Sequence, residues 1–122
     1  MNRKKVLLIE DSPDIRENTT ELLELEGYIV MACVNGREGL AALKESIPDL
    51  ILCDVRMPVM DGYELLTEAK KDSVFLTIPF VLMSAFVERT DIDYAVKLGA
   101  DAYLPKPFHT DELLKVIGRF IG

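Results

Sequence analysis

Five polar residues stand at the ends of short apolar runs: Glu10 and Asp11 after Val6 to Ile9, Asp54 after Leu50 to Cys53, Ser84 after "IPFVLM", and Lys106 in "DAYLPKPF". Three carboxylates drawn together repel, and partial desolvation makes each resist ionising, so such a site would be strained with raised pKa values. A hard divalent cation relieves the conflict. Few carboxylates in an open site suit Mg²⁺, which keeps several waters and accepts a phosphate oxygen as a further ligand. Lys106 would supply a point charge for that phosphate and Ser84 a neutral hydroxyl donor. A carboxylate beside Mg²⁺ and a lysine can attack phosphorus, because the cations offset the negative charge of the incoming group. The chemistry expected of Asp54 is therefore formation of an aspartyl phosphate.

That chemistry requires a fold in which the ends of distant strands meet. "KVLLIED", "YIVMAC", "DLILCD", "IPFVLMSA" and "DAYLPKPF" read as five strands, and a helical pattern follows each. "SPDIRENTTELLELEG" has Ser12 as N-cap, Pro13 at the first helical position and Gly27 as the stop. Ile15, Thr19, Leu22 and Leu23 form its inward stripe, with Arg16, Glu17, Glu21 and Glu24 elsewhere. Asn35 with Glu38 caps a second helix carrying Leu40 and Leu43 inward. "GYELLTEAKK", "DIDYAVKLG" and "TDELLKVIGRFI" supply the remaining three. Apolar strands alternating with helices imply a parallel sheet covered on both faces, and right-handed crossovers make it doubly wound. The predicted class is α/β, a doubly wound five-stranded parallel sheet with five helices, filling residues 1–122 as one domain without repeat or linker. Ligands in such sheets bind beyond the carboxyl ends of the strands, where the strand order reverses. The five polar residues are at those ends.

Composition narrows the class of partner. The 122 residues suffice for one core, and 49% hydrophobic with 29% charged residues is ordinary for a globular chain. A net charge of -7 argues against direct nucleic-acid or anionic-membrane binding, both of which need basic patches. The apolar run Val6 to Ile9 is too short for a signal-peptide core or a membrane span. Cys33 and Cys53 lie in apolar strand-like runs and are read as buried, reduced thiols of a cytoplasmic protein. His109, the only histidine, lacks any metal or nucleophile partner and is expected to face solvent near a helix start.

"IEDS", "LILCDVRMPVMDG", "MSA" and "YLPKPF", in this order and on these elements, resemble the receiver domain of two-component response regulators, with its flavodoxin-like fold. The resemblance spans nearly the whole chain. It implies a phosphorylation-dependent signalling switch in which Asp54 accepts a phosphoryl group from a phosphohistidine of a sensor histidine kinase or phosphotransfer protein. By the same resemblance Asp11, Asp54 and the backbone carbonyl of Arg56 would hold Mg²⁺, with Glu10 acting through a water. Ser84 and Lys106 would hold the phosphoryl oxygens. Tyr103 matches the switch aromatic that turns inward as Ser84 moves, and the Lys106–Pro107 bond matches one that is usually cis. Such a domain is a phosphoacceptor with at most slow self-dephosphorylation, not a turnover enzyme. Its downstream protein partner is not identified by these residues, nor is whether it acts alone or as a piece of a longer regulator.

Other functions fit less well. A phosphatase of the haloacid dehalogenase type wants a second Asp two residues after the nucleophile, where this chain has Arg56. A flavodoxin-like electron carrier needs a Ser, Thr or Gly-rich loop after the first strand, and "EDSPD" would repel a flavin phosphate. A receiver-like module that signals without phosphorylation would lack an acid or the lysine, and all are present. Arg56 and Phe86, two residues beyond Asp54 and Ser84, flank the expected phosphoryl position and bear on how long it survives.

Overall fold

Strand residues that are apolar on both sides can be satisfied only between two layers of helix. Such a layering is found in the computed structural model, which describes residues 3–86 and 88–122. The elements run β1 (Lys5–Ile9), α1 (Pro13–Leu25), β2 (Ile29–Cys33), α2 (Gly36–Glu45), β3 (Leu50–Asp54), α3 (Gly62–Lys70), β4 (Phe80–Ser84), α4 (Arg89–Leu98), β5 (Ala102–Pro105) and α5 (Thr110–Ile121). The five strands are parallel and ordered β2-β1-β3-β4-β5. This is the predicted doubly wound, flavodoxin-like architecture.

Side chains alternate across the sheet, so each strand feeds two cores. Leu7, Ile9, Ile51, Cys53, Phe80 and Leu82 pack with Leu43 of α2, Leu65 and Leu66 of α3 and Ala95 of α4. Val6, Leu8, Leu50, Leu52, Val81 and Met83 pack with Leu23 of α1 and Leu113 and Ile117 of α5. Every residue of β3 and β4 is buried. Each fully buried Leu or Ile contributes roughly 1.5–3 kcal/mol relative to exposure. The two central strands that carry Asp54 and Ser84 are thus anchored by complete burial. The chain leaves β1 for β2 on one side and returns to β3 on the other, so the reversal of strand order falls between β1 and β3.

Local readings differ in a few places. Ser12 occupies the N-cap of α1 without a side-chain cap bond; its amide donates instead to the Glu10 carboxylate. Ile15, at the edge of the stripe, is 38% exposed, whereas Thr19 and Leu23 are buried. Helix α4 begins two residues before the expected Asp91, because the Glu88 carbonyl accepts from both the Asp91 and Ile92 amides and adds a turn. Cys33 and Cys53 are free and buried. Both stand opposite Ile9, on the strands either side of β1. Two strand spacings of about 4.8 Å hold them beyond disulfide reach. Among the described residues, no helix is long and apolar enough to cross a membrane.

Candidate functional site

Ile9, Cys53, Leu82 and Tyr103 stand in one row across β1, β3, β4 and β5. Glu10 and Asp54 lie one residue beyond that row, Ser84 two, and Lys106 three. The register of the sheet therefore brings the predicted residues together. Glu10, Asp54 and Ser84 are buried, Asp11 is exposed and Lys106 is half-buried.

One oxygen from each of Glu10, Asp11 and Asp54 lies within 4.8 Å of the other two. The Lys106 ammonium donates to Glu10 Oε1 and sits 3.3 Å from Asp54 Oδ1. Its amide donates to the Ser84 carbonyl at 2.8 Å, which ties the start of the β5–α5 loop to the end of β4. Burial disfavours the ammonium charge, but the bond to Glu10 and the fields of Asp54 and Glu10 outweigh it and raise the Lys106 pKa. Asp54 is pushed up to about 7, first by burial and then by the Glu10 charge, with Lys106 opposing. One lysine thus leaves the anionic conflict partly unrelieved. The donor set of three carboxylates is hard and close-spaced, and it suits a hard divalent cation such as Mg²⁺.

The loop after β3 is shaped to present Asp54. The Val55 amide donates to the Met83 carbonyl and the Gly62 amide to the Val55 carbonyl. A Cβ at Gly62 would lie 2.4 Å from the Asp54 carbonyl oxygen, so only glycine lets α3 start this close to the strand end. Between them the Met60 amide donates to the Pro58 carbonyl across Val59, whose φ is +73°. A β-branched residue at positive φ in a three-residue turn is strained. Asp61, the second acid of the "DVRMPVMDG" stretch, caps α3 through a reciprocal pair of bonds with Glu64 and takes no part in the carboxylate cluster.

Around Ser84, Phe86 is the shared partner. The Phe86 amide donates to Ser84 Oγ at 3.0 Å, and its carbonyl accepts from the Tyr103 hydroxyl. The Arg56 guanidinium lies over the Phe86 ring, 4.1 Å from its centroid. Tyr63 packs edge-on against Tyr94, and burial followed by the neighbouring Tyr103 pushes its hydroxyl up to about 12. The Lys106–Pro107 bond is cis. His109 is exposed at the N-cap of α5.

Arg16 is the site neighbour that the helical pattern assigned to the outer face. Its Nη1 donates to the carbonyls of Glu10, at 2.9 Å, and Asp11, at 3.4 Å. A periodicity argument locates the Cβ and misses a long side chain that folds back over the preceding loop.

A family model described as the response regulator receiver domain matches residues 6–118. Among curated relatives, the response regulator SaeR of Staphylococcus aureus is 34% identical over 116 residues; the match takes in 95% of this chain but 50% of that protein, so the chain spans about half its length. The chemotaxis protein CheY4 of Vibrio cholerae superposes with a TM-score of 0.93 at 32% identity, covering 98% of this chain and 99% of that one. The receiver domain of the sensor histidine kinase PA1611 from Pseudomonas aeruginosa has a TM-score of 0.91 at 29% identity, with 99% of both chains covered. That structure has a magnesium ion coordinated in its active-site cleft.

Proposed function

Because this chain belongs to the response regulator receiver domain family, whose members are signalling switches, we propose that it accepts a phosphoryl group from a sensor histidine kinase or phosphotransfer protein onto Asp54 and changes its output surface in response. The observation that carries this reading is the meeting of Glu10, Asp11, Asp54 and Lys106 at the β1/β3 reversal.

In the transfer, an Asp54 carboxylate oxygen forms the bond to phosphorus as the bond from phosphorus to the phosphohistidine nitrogen breaks. The electron pair returns to the imidazole, which takes up a proton. Only ionised Asp54 is a nucleophile, and in the metal-free protein burial and the Glu10 charge push its pKa up to about 7, which works against ionisation. Asp11, Asp54 and the Arg56 carbonyl would hold Mg²⁺, with Glu10 acting through a water, and the bound ion would supply positive charge that favours ionised Asp54 and offsets the charge of the incoming phosphoryl oxygens. Lys106, 3.3 Å from Asp54 Oδ1, exchanges that contact for one with a phosphoryl oxygen. Ser84 donates its hydroxyl to another, and its movement changes the geometry of the Phe86 amide that donates to it. Tyr103, through the Phe86 carbonyl, transmits that change toward α4, β5 and α5. Self-dephosphorylation is slow, the downstream partner is a protein, and the compartment is the cytoplasm. Neither nucleic acid nor membrane is bound directly by this net-acidic chain.

A ligand shifts a two-state equilibrium only through its differential affinity for the two states, and Lys106 is a main source of that difference here. With beryllofluoride and Mg²⁺ as a phosphoryl mimic, amide chemical shifts around Tyr103 move in the wild type and move far less in Lys106→Ala. An unaltered response in the variant refutes the role.

A further inference from the structure

We infer that Arg16 is a positioning residue for the cation site: it fixes the backbone of Glu10 and Asp11 so that their carboxylates are held ready beside Asp54. This rests on the cation reading above. The β1–α1 loop carries two adjacent acids, one buried and one exposed. Mutual repulsion would drive such a pair to splay apart unless the backbone between them were held. Few bonds hold it. The Glu10 amide donates to the Cys33 carbonyl at 3.0 Å, and the Ser12 amide donates to Glu10 Oε2 at 3.2 Å. The two intervening carbonyls, of Glu10 and Asp11, have one common donor, Arg16 Nη1. Arg16 lies one turn into α1, where its own amide donates to the Ser12 carbonyl at 2.9 Å, so the guanidinium is carried by a formed helix. Holding both carbonyls restricts the peptide planes on either side of Asp11, and with them the directions of the two side chains. Arg16 takes part in none of the ion pairs among the described residues. Both bonds leave one nitrogen, Nη1, whose N–H groups are fixed in the guanidinium plane, so the contact is more directional than a rotating ammonium would make it.

Two readings of this cation predict opposite signs. As a bare positive charge near the carboxylates, Arg16 would repel Mg²⁺, and its removal would tighten metal binding. As a positioning residue, it lowers the cost of assembling the site, and its removal weakens binding. The test is calorimetric titration of Mg²⁺ into the wild type, Arg16→Met and Arg16→Lys. Alongside it, amide hydrogen exchange of residues 10–12 is measured without metal. Loss of one to two hydrogen bonds predicts Mg²⁺ affinity about threefold to tenfold weaker in Arg16→Met. Arg16→Lys keeps the charge with a shorter reach and falls between the two. Metal-free exchange quickens at residues 10–12 and not along the rest of α1. Equal or tighter Mg²⁺ binding in Arg16→Met overturns the inference, as does quickened exchange spread over all of α1, which would mark a role in helix stability alone. If Arg16→Met does not fold, Arg16→Lys decides: affinity equal to wild type overturns the inference, and weaker affinity with local exchange at residues 10–12 supports it. Failure of the wild type to bind Mg²⁺ would count against the cation reading itself.

Discussion

Arg56 and Phe86 touch: the guanidinium carbon lies 4.1 Å from the centroid of the Phe86 ring. One residue stands two places beyond Asp54 and the other two places beyond Ser84, so the contact joins the loops on either side of the expected phosphoryl group. A cation over an aromatic face contributes roughly 0.5–1 kcal/mol at an exposed site. Phe86, 49% exposed, turns its ring to this cation.

Hydrolysis of an aspartyl phosphate needs a water in line with the bond from phosphorus to the Asp54 oxygen. The Arg56–Phe86 contact stands between these loops and offers no base. Self-dephosphorylation is therefore expected to be slow, and faster by about tenfold in the Phe86→Ala and Arg56→Asn double variant, a change of about 1.4 kcal/mol in barrier. Decay of the phosphoprotein at fixed Mg²⁺ after removal of the donor measures it. Equal rates would mean that the pair does not gate the water.

Asp54 gives the metal-free protein a distinctive pH dependence. With its native pKa raised to about 7, it keeps a proton that an unfolded aspartate, at about 3.9, has lost. Its contribution to stability is complete below about pH 4 and is lost as pH rises through about 7, with a slope of up to about 1.4 kcal/mol per pH unit. Asp54→Asn lacks this titration. In urea melts with a chelator present, the stability of Asp54→Asn relative to wild type should climb between pH 4 and 7 and level off above. Parallel profiles would show that Asp54 titrates normally.

Metal binding should appear as stability. Mg²⁺ at roughly ten times its Kd adds about 1.4 kcal/mol to the folded state. Asp11 is exposed, so Asp11→Ala should leave the core intact and lose most of that gain. Melting temperatures of both proteins with and without Mg²⁺ check this, and an equal rise in each would remove Asp11 from the ligand set.

The sheet was legible in the sequence because buried parallel strands must be apolar throughout, as "LILCD" and "FVLMS" are. The site was legible because its residues stand where those runs end, and register then brings them together. Contacts made by long side chains across loops were not. Nothing in the spacing of Arg16 says that it turns back onto the Glu10 and Asp11 carbonyls. Arg56 and Phe86 were singled out separately, but their contact depends on two loop conformations. The turn at Val59 has no sequence signal either, since positive φ is usually announced by glycine or asparagine. The start of α4 was placed late because its first turn rests on the Glu88 carbonyl and carries no Ser, Thr, Asp or Asn cap.

The claim on which the rest depends is that Asp54 is the phosphoacceptor. Incubation with acetyl phosphate and Mg²⁺, followed by intact-mass measurement, tests it directly. The wild type should gain a single phosphoryl group, absent without Mg²⁺ and absent in Asp54→Ala. Undiminished labelling of Asp54→Ala would contradict it.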